Sequence, residues 1–455
     1  MKWTLYPPQT LPEKEPIPWP GILLAYILVI GLFLVITISD WPDNKPVDFM
    51  FYTQGMVLPF LFVSMTISYI VMGKSTYDCY HFSRWNIAQW RLYHLKNYAQ
   101  QHLIIAAWSS KTPVDELTLR MIQLKGDLPL APRTPLRMAL GGGFETTPAR
   151  QLFSQLVAPI VETLRAYPNF KVSYWLRNAN ELTTGELRDV LSHCAVTFEE
   201  EIIALDKCPD FSLLNKTFAD SEQRWDYRHL LIIGDLYGKE ENKCMENGSA
   251  LFICQDFQLK ESLKPVFLFQ PLTGVDELEK SAAVFIEAQQ PTEPKTLWFT
   301  GLTAHQKYPF LNVLNEYKTV PLRLELELSF GESSAGYRWL ALALAADAAR
   351  YAQGAQLVAA SEKNMPEMVL LSTERPRSPL KPGYDGPGPL SHIAHVALTT
   401  LATLITGWAV YFKTLNWTTI LICTGSALVI SFALSFLLTH MAINAAGDDL
   451  GSIHH

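Results

Sequence analysis

The sequence is short of charge. Asp, Glu, Lys and Arg make up 18% of its 455 residues, against about 25% in an ordinary globular domain, while hydrophobic residues reach 49%. Lipid in place of water around part of the chain accounts for such a deficit. A basic surplus is missing too. The 44 acidic residues outnumber 37 basic ones for a formal net charge of -7, which excludes a general nucleic-acid binder with its concentrated positive surface. The six cysteines, Cys79, Cys194, Cys208, Cys244, Cys254 and Cys423, form no CxxC pair, so structural zinc and thioredoxin-like chemistry have no support. There is no P-loop, no complete GxGxxG and no GxSxG, and no cofactor or metal is expected.

Four apolar runs are present. The first, Gly21 to Ser39, carries no charge and is bracketed by Trp19 and Trp41, as interfacial aromatics bracket a span. The second, Gly55 to Gly73, follows a short connector and contains Pro59. Two more, Ile393 to Phe412 and Trp417 to Leu438, lie near the end of the chain. They predict two transmembrane helical hairpins, 21–73 and 393–438. The connector Asp40 to Gln54 holds three aspartates against Lys45 alone. Lys74, Arg84, Arg91 and Lys96 follow the second run, and Arg375, Arg377 and Lys381 precede the third. By the positive-inside rule the central region and both termini, 1–20 and 439–455, are cytoplasmic, the protein is a multi-pass protein of the bacterial inner membrane, and all six cysteines are expected to be reduced. No charged residue sits at the centre of a run, which argues against small-molecule transport.

Between the hairpins, residues 74–100 interleave aromatic and basic side chains, among them Arg84, Trp85, Trp90 and Arg91. Together with Trp19 and Trp41 these are the candidate membrane-interface residues, and lipid is the expected partner there. Residues 101–373 read as a mixed α/β domain. Strands are predicted at His102 to Trp108, Lys171 to Leu176, His229 to Leu236, Ser249 to Phe257, PVFLFQP, SAAVFIEAQ, KTLWFTGL, the alternating LRLELELSF and QLVAAS. Helices are predicted at Leu152 to Leu164, in ELTTGELRDVLSHC, and over the alanine-rich Gly336 to Gln353. Residues 374–392 carry too much proline and glycine for regular structure and read as a linker.

Every chemical constellation is incomplete. Gly141 to Gly143 precede a predicted helix and suit either anion binding or a turn. Asp235 ends an apolar strand, where metal-binding acids often sit, without a partner acid at fixed spacing. Ser333 lies in FGESSAG between a strand and a helix, His305 follows a strand in GLTAHQK, and Cys254 lies inside a strand pattern. These three are the weak catalytic candidates. Against each stands a structural reading: a tight turn, a surface histidine and a buried small hydrophobe.

The stretches WDYRHLLIIGDLYG, ENGSALFICQDF and above all FGESSAGYRWLALALAADAARYAQGAQLVAAS resemble the C-terminal half of a thiolase-like, or ketoacyl-synthase-like, domain. The resemblance spans Gly141 to Ser361. It implies a nucleophilic cysteine at a helix start with assisting histidines, and no cysteine here matches that motif. A membrane-tethered degenerate thiolase-like domain resembles accessory proteins of bacterial type VI secretion lipase effectors. That resemblance implies an adaptor or immunity protein whose partner is another protein, a secreted effector. The alternative is a membrane-associated acyl-transfer or lipid-processing enzyme.

Overall fold

The structure is a computed structural model. It describes residues 3, 10–13, 16–43, 45–129, 134–140, 146–237, 244–255, 265–273, 282–285, 288, 293–315, 321–362, 365–376, 378–383, 393–412 and 416–451. The chain divides into two units, Met1–Leu5 with His94–Pro379, and Tyr6–Tyr93 with Leu380–His455.

Helix α1 (Trp19–Asp40) has 22 residues, enough at about 1.5 Å per residue to cross a hydrocarbon core. Asp48 starts the short helix α2 (Phe49–Tyr52) by accepting the N–H groups of Met50 at 2.9 Å and Phe51 at 3.1 Å. Pro59 has no N–H to return to Gly55, and the backbone widens into one π turn, Thr53–Val57, where Leu58 bonds back to the Thr53 carbonyl. Helix α3 (Leu58–Ala99) follows, and its Ser64 meets Tyr26 of α1 at 2.7 Å. It runs unbroken for 42 residues and includes most of 74–100. Gly73, which costs a helix only about 1 kcal/mol, does not interrupt it.

The α/β unit contains, in chain order, β1 (His102–Lys111), α4 (Leu117–Met121), α5 (Pro148–Val157), α6 (Val161–Ala166), β2 (Phe170–Leu176), α7 (Thr183–His193), β3 (Phe198–Ala204), α8 (Ser212–Gln223), β4 (Arg228–Asp235) and β5 (Asn247–Cys254). Then come β6 (Val266–Phe269), β7 (Pro294–Thr300), α9 (Ala304–Leu314), β8 (Leu322–Glu325), α10 (Leu326–Phe330), α11 (Tyr337–Arg350), β9 (Ala355–Glu362) and β10 (Met365–Ser372). The strands form one mixed sheet ordered β3-β2-β4-β5-β1-β6-β10-β9-β7-β8.

That order is a duplication. Counted from each outer edge, β1 to β5 and β6 to β10 both run third, second, fourth, fifth, first. In each half the outer three strands are parallel and the fourth, fifth and first alternate, and the halves join through antiparallel β1 and β6. The helices repeat as well. α7 and α9 follow the second strand of their half and pack on the outer face of the sheet with α5 and α6. α8 and α11 follow the third strand and pack on the inner face. Leu152 of α5 rests on the register pair Gly234 and Gly248; a Cβ at either would come within 2.8 Å of its methyl groups, so this contact requires glycine. α11 is buried all round, which its alanines permit.

Two predicted strands are corrected. SAAVFIEAQ is helical at 282–285, and Ala282 and Phe285 pack on the outer face, where α5 and α6 sit in the first half. LRLELELSF is a strand only to Glu325. Glu327 then turns to accept Thr300 Oγ1 at 2.6 Å and the Gly301 N–H at 2.7 Å, and an edge strand with one neighbour has little to oppose that turn. The other predicted elements are present. Trp3 docks into this unit, donating from its indole to the Pro271 carbonyl at 3.1 Å and stacking on Phe285.

Two helices close the chain, α12 (Ile393–Phe412) and α13 (Trp417–Gly451). Thr403 of α12 donates to the Leu61 carbonyl of α3 at 3.1 Å. α13 packs along α12 and buries Cys423, Ala427, Ser431 and Ser435; it continues past the predicted end at Leu438. Four helices are thus long and apolar enough to cross a membrane.

Candidate functional site

The two inner-face helices begin at the most polar part of the core. Asp235, at the end of β4, is fully buried and faces the start of α11. Its carboxylate accepts the Gly336 N–H at 3.2 Å and the Ser334 hydroxyl, and it pairs with Arg177, the residue after β2. Gly336 is required there, because a Cβ would come within 2.5 Å of Asn247 Oδ1. Arg177 also stacks over the Tyr237 ring at 4.5 Å. Burial works against its charge, but the Asp235 hydrogen bond and charge prevail and raise its pKa. Burial, then the Cys244 thiol bonded to its oxygen at 2.8 Å, pushes the Tyr237 phenol up, so it stays protonated and donates to Asp235 at 3.4 Å.

The start of α8 has the same design with the halves exchanged. Glu367 of β10 accepts the Phe211 N–H at 2.9 Å and lies 3.4 Å from Arg338 Nε of α11. Arg338 and Trp339 both donate to the Pro209 carbonyl, at 3.1 and 2.7 Å. Cys208, three residues before Phe211, donates from Sγ to the Ala335 carbonyl at 3.2 Å and so ties the two helix starts together. Each central helix is capped by a buried carboxylate from the other half, and each carboxylate has its own arginine.

This arrangement decides what chemistry the site supports. A helix N-terminus stabilises a thiolate or an oxyanion through free N–H groups and a positive end. Here internal carboxylates already hold the Gly336 and Phe211 amides.

The sequence candidates lie elsewhere. Cys254 is buried at the far end of β5 from Asn247 and belongs to the outer-face cluster. His305 is exposed in the first turn of α9. Ser333 is exposed, with Oγ 3.4 Å from where a Cβ at Gly301 would stand, while its neighbour Ser334 is the serine that enters the core. Gly141 to Gly143 lie outside the described residues. Asp235 caps a helix; among the described residues no group of three or more His, Cys, Asp or Glu side chains stands together. Arg84, Trp85, Trp90 and Arg91 are half-buried on α3, Trp19 is exposed, and Trp41 carries Lys45 over its ring at 4.1 Å.

Sequence reasoning missed Cys208, Glu367, Arg177 and Arg338. One signal was available: Arg177 and Asp235 are opposite charges placed directly at the ends of two apolar strands. A second buried chain links Ser173 Oγ to His229 Nε2 at 2.9 Å and His229 Nδ1 to Tyr227 at 3.3 Å. Burial, then Lys171, lowers His229 to about 4, and burial pushes Tyr227 up to about 12. A neutral tyrosine gives an imidazolium no charge to lean on, so this chain lacks what a hydrolytic triad needs.

No protein-family model and no curated protein matches the chain. Among solved structures it is similar to the oxazolomycin ketosynthase domain of Streptomyces albus, at 9% identity and TM-score 0.43, over 63% of this chain and 100% of that one. It is similar to 3-oxoacyl-(acyl-carrier-protein) synthase III of Aquifex aeolicus, at 12% identity and TM-score 0.38, over 60% and 100%. For the ketosynthase from module 6 of the bacillaene synthase of Bacillus subtilis, identity is 10% and the TM-score 0.43, over 78% and 85%.

Proposed function

We propose that this chain is a non-catalytic protein-binding module, anchored in a bacterial inner membrane, with a degenerate thiolase-like α/β unit in the cytoplasm. The carrying observation is the pair of exchanged caps. Asp235 and Glu367 fill the two helix starts that a thiolase-like enzyme would keep open for its thiolate and oxyanion. The duplicated half-sheet supports the thiolase-like reading, and the acidic connector against basic flanks supports the orientation.

The partner class we propose is a secreted effector of a secretion system, with the module serving as its adaptor or its immunity protein. Two spanning pairs hold the α/β unit at the membrane, where tethering raises its local concentration near a membrane-bound partner. The test is co-purification in mild detergent from the native cell, followed by deletion. Deletion that sensitises the cell to the bound effector establishes immunity. Deletion that blocks delivery while the cell stays protected establishes an adaptor. Repeated pulldown and proximity labelling that recover no specific partner overturn the proposal.

A further inference from the structure

A second region of the α/β unit gathers charge away from the capped helix starts. A cleft of ≈ 330 Å³ opens where β1 ends, walled by Trp108 and Lys111 of that strand, by the loop leading into α4, by Pro159 and by the last turn of α11. α11 runs about 20 Å from the Asp235 cap at its start to Arg350 at this cleft. We infer that the cleft binds a free α-amino acid with an aliphatic side chain, its carboxylate at Lys111 and Arg350 and its ammonium at Asp347 and Asp115.

The lining holds both signs of charge and keeps them apart. Lys111 and Asp347 are half-buried, and Arg350 and Asp115 are exposed. Among the described residues none of the four side chains takes part in an ion pair or a hydrogen bond, with each other or with anything else. Glu116, the fifth charge of the lining, is already engaged by Lys125 at 2.5 Å. A half-buried ion without a counter-ion has lost part of its hydration and gained no attraction in return. A ligand that carries one charge of each sign supplies the missing partner to both Lys111 and Asp347.

The pattern excludes simpler occupants. Two cations and two free acids cancel, so a phosphate or a metal ion alone would meet as much charge of its own sign as of the opposite one. A zwitterion turns each end to the matching pair. The volume lies at the lower end of small-molecule sites, which suits a single amino acid. Val114, Leu119 and Pro159 give an apolar wall for its side chain. The walls are set in advance. Thr112 Oγ1 donates to the Val114 carbonyl at 2.8 Å, Glu116 is held in the left-handed region at φ 54°, and the Arg350 guanidinium lies 5.7 Å from the centre of the Trp108 ring.

The test uses the full chain in dodecyl maltoside, an uncharged detergent, with L-leucine titrated calorimetrically. Saturable binding is expected. Leucinamide, which lacks the carboxylate, and isocaproate, which lacks the ammonium, should each bind at least about tenfold more weakly. Lys111→Gln and Asp347→Asn should each weaken leucine binding by a similar factor, with circular dichroism confirming the fold, while Asp189→Asn on the exposed face of α7 leaves it unchanged. The inference is overturned by an absence of saturable leucine binding, by either analogue binding as tightly as leucine, or by an affinity that neither Lys111→Gln nor Asp347→Asn lowers.

Discussion

Glu367 reaches across 156 positions of sequence to accept the backbone N–H of Phe211 at 2.9 Å. Asp235 does the same for Gly336 from the other half, across 101 positions. The two helix starts therefore fasten the halves of the sheet together.

The caps are structural, so removing one should cost stability without producing activity. Asp235→Ala leaves the Arg177 guanidinium without its carboxylate and the Gly336 amide without its acceptor. Loss of a partner in a buried pair costs about 3–5 kcal/mol, discounted here because Arg177 is part-exposed. A lowering of the unfolding free energy by roughly 3 kcal/mol is expected in detergent-solubilised protein, read by denaturant titration. A loss under about 1 kcal/mol would show that water replaces the pair at little cost.

Gly336→Ala tests the same contact by sterics. The added methyl would stand 2.5 Å from Asn247 Oδ1 and 3.0 Å from Asp235 Cβ. A loss of about 2 kcal/mol is expected, in the range of overpacked core positions. Wild-type stability would mean that the turn at 331–336 shifts freely.

His229 supplies the pH dependence. It is neutral in the fold with a pKa near 4, whereas in the unfolded chain it titrates near 6.5. Between these values the unfolded state binds the extra proton, so stability falls as pH drops from 6.5 towards 4. The full loss is roughly 3 kcal/mol. His229→Gln should flatten that part of the stability–pH profile. A profile unchanged by the substitution would assign the slope to other groups.

Trp3 docks on Pro271 and Phe285 in the α/β unit, so the proposed topology requires residue 3 and the α/β unit to share one side of the membrane. Alkaline phosphatase fused after Glu374 is expected to be inactive and green fluorescent protein at the same position to fluoresce. The opposite pair would invert the topology. Trp3→Ala should lower the melting temperature, since it deletes a half-buried ring stacked on Phe285 and the indole hydrogen bond to Pro271.

Much of this fold is legible in the chain because its signals are local. The four apolar runs are long and lack a polar face, and strands such as HLLIIGDL announce themselves by composition. The duplication is not legible. It resides in strand order, and the two halves bury different residues at equivalent places, so no repeat survives for sequence to show. LRLELELSF misleads because its alternation is real while Glu327 bonds to Thr300 and Gly301, 27 and 26 positions back in the chain. The site is hidden for the same reason. Asp235 stands out in sequence, but its partners Arg177, Ser334 and Gly336 are brought to it only by the closure of the sheet.

The central claim, that binding rather than acyl chemistry is the work of this unit, is tested most directly by intact mass spectrometry. The purified chain is incubated with a panel of acyl thioesters, and the mass is read before and after. The expected result is an unchanged mass, because Cys208 donates to Ala335 and both helix starts are occupied by Glu367 and Asp235. A gain of one acyl group that disappears in Cys208→Ala would contradict the account.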